Sequence, residues 1–203
     1  MAGRLKAAER KASILAVAKV LFADKGFHGV SVDEIARRLG VSPAVLYQHF
    51  SSKEDLYEAV LNSISGKRES YVNAIVEEPS DFGSVLMRMS LVFADSVSRD
   101  PDYLRMELMS ALEGNAAANQ FFENRWRSFT DYIEESIKEA EKKSNVVTIA
   151  PRMASLMFQG MLREALYTKC ILNEPRYKDI SLDNLVTQLI GIFLNAIEFY
   201  KNG

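Results

Sequence analysis

The chain has 203 residues, 48% apolar and 26% charged, a composition that supports a globular fold with a real core. One cysteine excludes a disulfide framework, and two histidines widely spaced from it supply no metal-ligand set. The net charge of −2 divides unevenly: residues 1–68 hold 11 Lys/Arg against 7 Asp/Glu (+4), and residues 69–203 hold 14 against 20 (−6), so the first third is the part suited to a polyanion.

The elements follow in chain order. Ile14, Leu15, Ala18, Leu21 and Phe22 recur with a helical period that stops at Lys25-Gly26, a cationic last turn with a glycine cap. "SVDE" at 31–34 reads as a capping box, in which Ser31 accepts from the Glu34 amide and Glu34 reaches back. Val32, Ile35, Ala36 and Leu39 line the next helix, and Gly40 ends it. Ser42-Pro43 reads as N-cap and first residue of a third helix, and Ser52 as the cap of a fourth that buries Leu56, Val60 and Ile64.

Glu77-Glu78-Pro79-Ser80 is a break, after which Phe82, Val85, Leu86, Met89, Val92, Phe93 and Val97 form a stripe. Asp100-Pro101 and Gly114-Asn115 interrupt again. Phe122, Trp126, Phe129, Ile133 and Ile137 then line a long helix that runs out in "KEAEKKSN". Two more helices are predicted at roughly 149–173 and 182–201, separated by "NEPRYKDIS". With no strand-like alternation and no internal repeat, the expectation is an all-α protein of about nine helices.

"LVTQLIGIFLNAIEFY" carries Gln188, Asn195 and Glu198 and falls short of a membrane span. "MAGRLKAAERKAS" is charged but has no apolar run, so it is no secretory signal, and a cytoplasmic protein is expected. Between Leu185 and Tyr200 only Glu198 is charged, and the helix from Ile149 is similarly apolar at Met153, Leu156, Met157, Met161, Leu166 and Ile171, with Gly160 allowing close approach. Such a pair suggests a homodimer seam of four helices across a two-fold axis; an unusually apolar single core is the other reading.

Residues 31–50 therefore read as helix, tight turn, helix, an arrangement whose second helix enters the DNA major groove. Pro43, Ala44 and Val45 are small and apolar, suited to thymine methyl groups, and Gln48 can make a two-point contact with adenine. Tyr47 and His49 suit phosphate oxygens, which fix position rather than sequence, and Lys53 adds a cation beside a helix N-terminus. Ser31, at the start of the motif, is counted with them.

"SVDEIARRLGVSPAVLYQHFSSKEDLY", preceded by "KASILAVAKVLFADKGFHGV", resembles the DNA-binding segment of the tetracycline-repressor (TetR) family of bacterial transcription regulators over roughly residues 9–64. The resemblance puts the family's DNA-contacting positions on Ser42, Pro43, Ala44, Val45, Tyr47, Gln48, His49 and Lys53. The sequence departs from the family at Pro43-Ala44-Val45, where glycine, lysine or a small polar residue is common, which shifts base-edge hydrogen bonding toward Gln48. The resemblance implies a DNA-binding domain at 1–65, with its motif at 31–50, and an effector-binding and dimerisation domain at 66–203. It also implies binding as a homodimer, through the last two helices, to near-palindromic double-stranded DNA.

For the body, Phe93, Tyr103, Met106, Met109, Trp126, Phe129, Met157, Met161 and Tyr167 form a Met- and aromatic-rich set suited to an adaptable apolar pocket, although each alone also suits a plain core. Inside an acidic shell, such a pocket favours a hydrophobic or weakly cationic small molecule over a free phosphate ester or dicarboxylate, and a lipophilic ligand, aromatic or acyl-chain, is expected. His28 reads as a loop residue and Cys170 as a small core hydrophobe. The basic arm of Arg4, Lys6, Arg10 and Lys11 is either solvated or on the DNA backbone. No phosphate loop, Ser-His-Asp set or paired carboxylates point to an enzyme, and no cofactor motif is present. The function expected is a ligand-responsive repressor. The alternatives are a regulator whose body only dimerises, or an activator without an effector.

Overall fold

The computed structural model describes residues 2–65, 81–144 and 149–199; the expected break at 77–80 lies outside them. Among the described residues all regular structure is helical. The α-helices are α1 (Ala2–Lys25), α2 (Val32–Leu39), α3 (Pro43–Tyr47), α4 (Lys53–Ser65), α5 (Phe82–Arg99), α6 (Asp102–Glu113), α7 (Ala116–Ser144), α8 (Pro151–Leu166) and α9 (Leu182–Phe199). The predicted helix over 149–173 is α8 followed by a π-helical turn at Tyr167–Ile171, and a 3-10 turn at Pro175–Tyr177 precedes α9.

The contacts form two compact units, residues 1–68 with 102–122 and residues 69–101 with 123–203. Residues 102–122, expected in the C-terminal domain, thus cluster with the N-terminal helices. In this first unit α1 packs against α2, α4 and α6, and α2 against α3. Ile14, Ala18, Leu21 and Phe22 of α1 are buried with Ile35, Leu46, Leu56 and Val60. The edge of the Phe22 ring meets Tyr57 at 4.9 Å, and Tyr103 of α6 meets Phe122 at 5.3 Å. Burial of a leucine- or phenylalanine-sized side chain contributes roughly 1.5–3 kcal/mol, which offsets the ordering of a short helix such as α3.

In the second unit α9 packs against α5 and α8, and α5 against α8. Aromatic rings run through it in contact: Phe93 with Trp126 at 5.2 Å and Phe129 at 5.4 Å, then Phe129 with Phe158 at 5.6 Å and Phe158 with Phe193 at 5.5 Å. The sequence makes α9 apolar on every side, and the structure sorts those sides. Val186, Ile190, Phe193 and Ile197 are buried within the unit, while Gln188, Ile192 and Asn195 face outward.

Candidate nucleic-acid interface

The interface begins at Ser31, whose extended backbone (φ −106°, ψ 154°) places its Oγ to accept the Glu34 N–H at 3.1 Å. The reciprocal half of the capping box is replaced. Glu34 takes the Lys25 ammonium instead, and this hydrogen-bonded cation holds the Glu34 carboxyl below the usual carboxylate range. The helix ends at Gly40, whose φ of +68° is left-handed. There the Gly40 and Val41 amides donate back to Arg37 O at 3.1 Å and Ala36 O at 3.0 Å. A Cβ on Gly40 would meet nothing within 4 Å, so the backbone conformation, not lack of space, demands glycine.

This turn delivers α3. Pro43 starts it with a preset φ, and Ser42 O accepts the Val45 N–H at 3.0 Å, while the Ser42 hydroxyl makes no cap bond. Helical bonding continues past Tyr47, with Gln48 N–H to Ala44 O at 3.2 Å and Phe50 N–H to Leu46 O at 3.0 Å. Leu46 at 1% and Phe50 at 4% exposure anchor the helix, whereas Tyr47 is 56% exposed. Ser42, Ala44 and Gln48 are also exposed; Pro43, Val45 and His49 are half-buried. Two inward residues and an outward face of small apolar and hydrogen-bonding groups are what a major-groove reading helix requires. Of the basic arm, Lys11 lies with its ammonium 5.3 Å from the Phe50 ring centroid and Arg10 is exposed; the Arg4 and Lys6 side chains lie outside the described residues.

Lys53 is engaged differently from the sequence expectation. Ser52 caps α4, accepting the Asp55 N–H at 3.0 Å, and Asp55 reaches back to the Ser51 N–H at 2.8 Å. The Lys53 ammonium donates to Phe27 O at 3.0 Å and Val30 O at 3.1 Å and sits 4.2 Å from the Phe27 ring centroid. Two of its three donors therefore serve the α1–α2 loop. His28 is exposed in that loop, as expected. Sequence reasoning missed Glu113, whose carboxylate accepts the Phe27 and His28 amides at 2.9 Å each. The available signal was an acid in the last turn of a helix, where the dipole disfavours it.

The residues expected to line an effector pocket divide between the units. Tyr103 and Met106 are buried and Met109 half-buried in the first. Phe93, Trp126 and Phe129 are buried in the second, with Met157, Met161 and Tyr167 half-buried. The Arg163 guanidinium lies 5.0 Å from the Trp126 ring centroid, and Phe158 and Phe193 extend the aromatic set beyond the predicted residues. A cavity of about 260 Å³ near the π-helical turn is lined by Thr168, Lys169, Asn173, Glu174 and Lys178, none of them in the predicted set. Burial pushes the half-buried Cys170 thiol up, away from a reactive thiolate. Among the described residues no helix is long and apolar enough to cross a membrane.

An all-helical chain with a glycine-capped helix-turn-helix and an outward reading helix is a DNA-binding transcription regulator. The family model described as bacterial regulatory proteins, tetR family, matches residues 14–60. The chain is 32% identical to the nucleoid occlusion factor SlmA of Aliivibrio fischeri across 94% of its own length and 83% of that protein. It is 50% identical to the HTH-type transcriptional activator FasR of Mycolicibacterium smegmatis over 72 residues, a match that spans only 33% of each chain. The solved structure of the transcriptional regulator FadR from Bacillus subtilis, in complex with stearoyl-CoA, superposes with a TM-score of 0.69 at 18% identity, covering 92% of this chain and 98% of that one. The chain belongs to the TetR family of bacterial regulatory proteins.

Proposed function

We propose that this regulator acts as a homodimeric repressor released from a near-palindromic operator when a hydrophobic, acyl-chain ligand enters its second unit. The observation that carries the ligand class is the interior of that unit: Phe93, Trp126 and Phe129 in mutual ring contact and Phe158 against Phe129, in a unit that also holds half-buried Met157 and Met161. Aromatic side chains line apolar ligand sites, and flexible thioethers adapt to the shape of what they enclose. A fold shared with a regulator solved with stearoyl-CoA supports the same class. Arg163, whose guanidinium lies 5.0 Å from the Trp126 ring centroid, is a cation suited to the anionic end of such a molecule.

The dimer reading rests on the outer face of α8 and α9. Met153, Leu156 and Ile192 are exposed there, and a Cβ on Gly160 or Gly191 would meet nothing within 4 Å, so a partner helix could approach closely. DNA-binding Ser31, Ser42, Pro43, Ala44, Val45, Tyr47, Gln48 and His49 would then be presented twice, with half-sites ~34–36 Å apart. The test is a thermal-shift series of acyl-CoAs of increasing chain length against free coenzyme A. Binders are then retested for release of a duplex selected from a random library. Stabilisation that grows with chain length and accompanies DNA release supports the proposal. Stabilisation by free coenzyme A alone, or acyl-CoA binding with DNA affinity unchanged, refutes it.

A further inference from the structure

The loop between α1 and α2 is gripped from two sides. Gly26, at φ +72°, turns the chain so that the Phe27 and His28 amides converge, and each donates to a different oxygen of Glu113 at 2.9 Å. Successive amides arranged in this way form an anion-holding concavity. Gly26 also makes the room: a Cβ there would collide with Glu113 Oε1 and lie 2.7 Å from its Cδ. From the other side, the Lys53 ammonium takes the carbonyls of Phe27 and Val30. The next residue is Ser31, the N-cap of α2. Amides tied to one helix and carbonyls to another fix the orientation of this five-residue loop, and with it the start of the helix-turn-helix.

Glu113 stands in the last turn of α6, where the helix dipole disfavours an anion, so the helix itself does not explain a carboxylate there. The first helix also meets α6 through Lys19 and Asp102, whose charged atoms are 4.0 Å apart. We propose that Glu113 is a positioning residue for DNA recognition: it locks the α1–α2 loop so that α2, the Gly40 turn and the outward face of α3 are held in the geometry a specific site needs. The role calls for a carboxylate. Glutamine has the same shape, but it offers one acceptor oxygen and sets its NH2 against the second amide. Aspartate keeps the charge but is one methylene too short to reach both amides. The assignment is independent of any effector.

The test uses the full-length protein, a duplex selected with the unmodified protein from a random library, and a scrambled duplex of the same composition. Binding is read across a salt series at a temperature where circular dichroism shows every variant folded, and hydrogen exchange follows the Phe27 and His28 amides. Glu113→Gln is expected to lose about tenfold or more in affinity for the selected duplex, the loss of one charge-assisted hydrogen bond read as a binding ratio. Its affinity for scrambled DNA and its salt slope should stay unchanged, because no phosphate contact is removed. Both amides should lose protection, and Glu113→Asp should show a smaller loss in the same direction. A merely structural role would lower the melting temperature and leave the ratio between the two duplexes unmoved. The proposal is overturned if folded Glu113→Gln keeps that ratio, or if its affinity falls equally for both duplexes. Should Glu113→Gln fail to fold, the same ratio measured on Glu113→Asp decides.

Discussion

Lys53→Met separates an internal tie from a DNA contact. Methionine keeps most of the unbranched stem and removes only the ammonium. That ammonium makes bonds of 3.0 and 3.1 Å to two carbonyls and lies 4.2 Å from the Phe27 ring centroid. Val30 is buried, so its carbonyl loses its donor with little access to water, whereas half-buried Phe27 can recruit a water molecule. One fully lost charge-assisted bond at ~1.5–2 kcal/mol, one partly replaced, and a cation–π contact of about 0.5 kcal/mol give a loss of roughly 2–3 kcal/mol. With a urea slope of ~2–3 kcal/mol/M, the denaturation midpoint should fall by about 1 M. The assay is a urea titration followed by circular dichroism, paired with DNA binding across a salt series. An unchanged midpoint would refute the internal tie. In the binding arm, a drop in salt slope of about 0.9 per protomer would mean that the remaining N–H also meets a phosphate.

Three further outcomes are expected. Gln48→Ala should relax preference at one base pair by ~1–3 kcal/mol, whereas Tyr47→Ala should weaken selected and scrambled duplexes alike; base-by-base competition binding checks both. Leu156→Glu and Ile192→Glu, at positions 62% and 59% exposed, should leave each protomer folded and produce monomers in sedimentation, while Ile190→Glu, at 0%, should unfold the protomer instead. Burial, and secondarily the Glu113 carboxylate, push the Tyr57 phenol up to about 12. The folded state therefore holds the Tyr57 proton more tightly than the unfolded chain does, so this contribution is fully present below pH ~10 and fades between ~10 and ~12, by about 2–3 kcal/mol at most. Tyr57→Phe should remove that part of the alkaline slope in denaturation midpoints measured from pH 8 to 11.

The features legible in the sequence are those whose causes lie within a few residues. Ser31 caps α2, Gly40 closes it and Pro43 opens α3 because a cap, a left-handed turn and a preset φ need only their neighbours. Glu34 shows where this logic stops: the capping box assigns its carboxylate to Ser31, but Lys25, nine residues upstream, competes for it with a full charge. Lys53 reaches back 26 residues to Phe27, and Glu113 accepts from an amide 86 residues away. No periodicity encodes such pairs. The last helices fail to declare themselves for another reason. A helix with one charge in its final turns offers no polar face to orient it, and only packing against α5 and α8 assigns Ile190 and Phe193 to the core and Ile192 to the outside. The family resemblance supplied the role of α3 but not the engagement of Lys53.

The length of α3 makes these distant contacts matter. A helix of five residues is too short to be stable in water on its own, since nucleation costs more than so few hydrogen bonds return. Its outward side chains can choose a base only if the backbone beneath them is already placed, and α3 reaches the core through Leu46, with buried Phe50 just past its end. Orientation must come from what precedes and follows it: the Gly40 turn, α2 with its Ser31 cap, and the Ser52-capped start of α4. Each of these leads to the α1–α2 loop, α2 by chain and α4 through Lys53, and the loop leads to Glu113. On the proposed assignment, which sequence is preferred depends on Ala44, Val45 and Gln48, and how sharply it is preferred depends on the loop that Glu113 and Lys53 hold. Substitutions of the first kind should change the preferred sequence, and those of the second kind should lower discrimination without changing it.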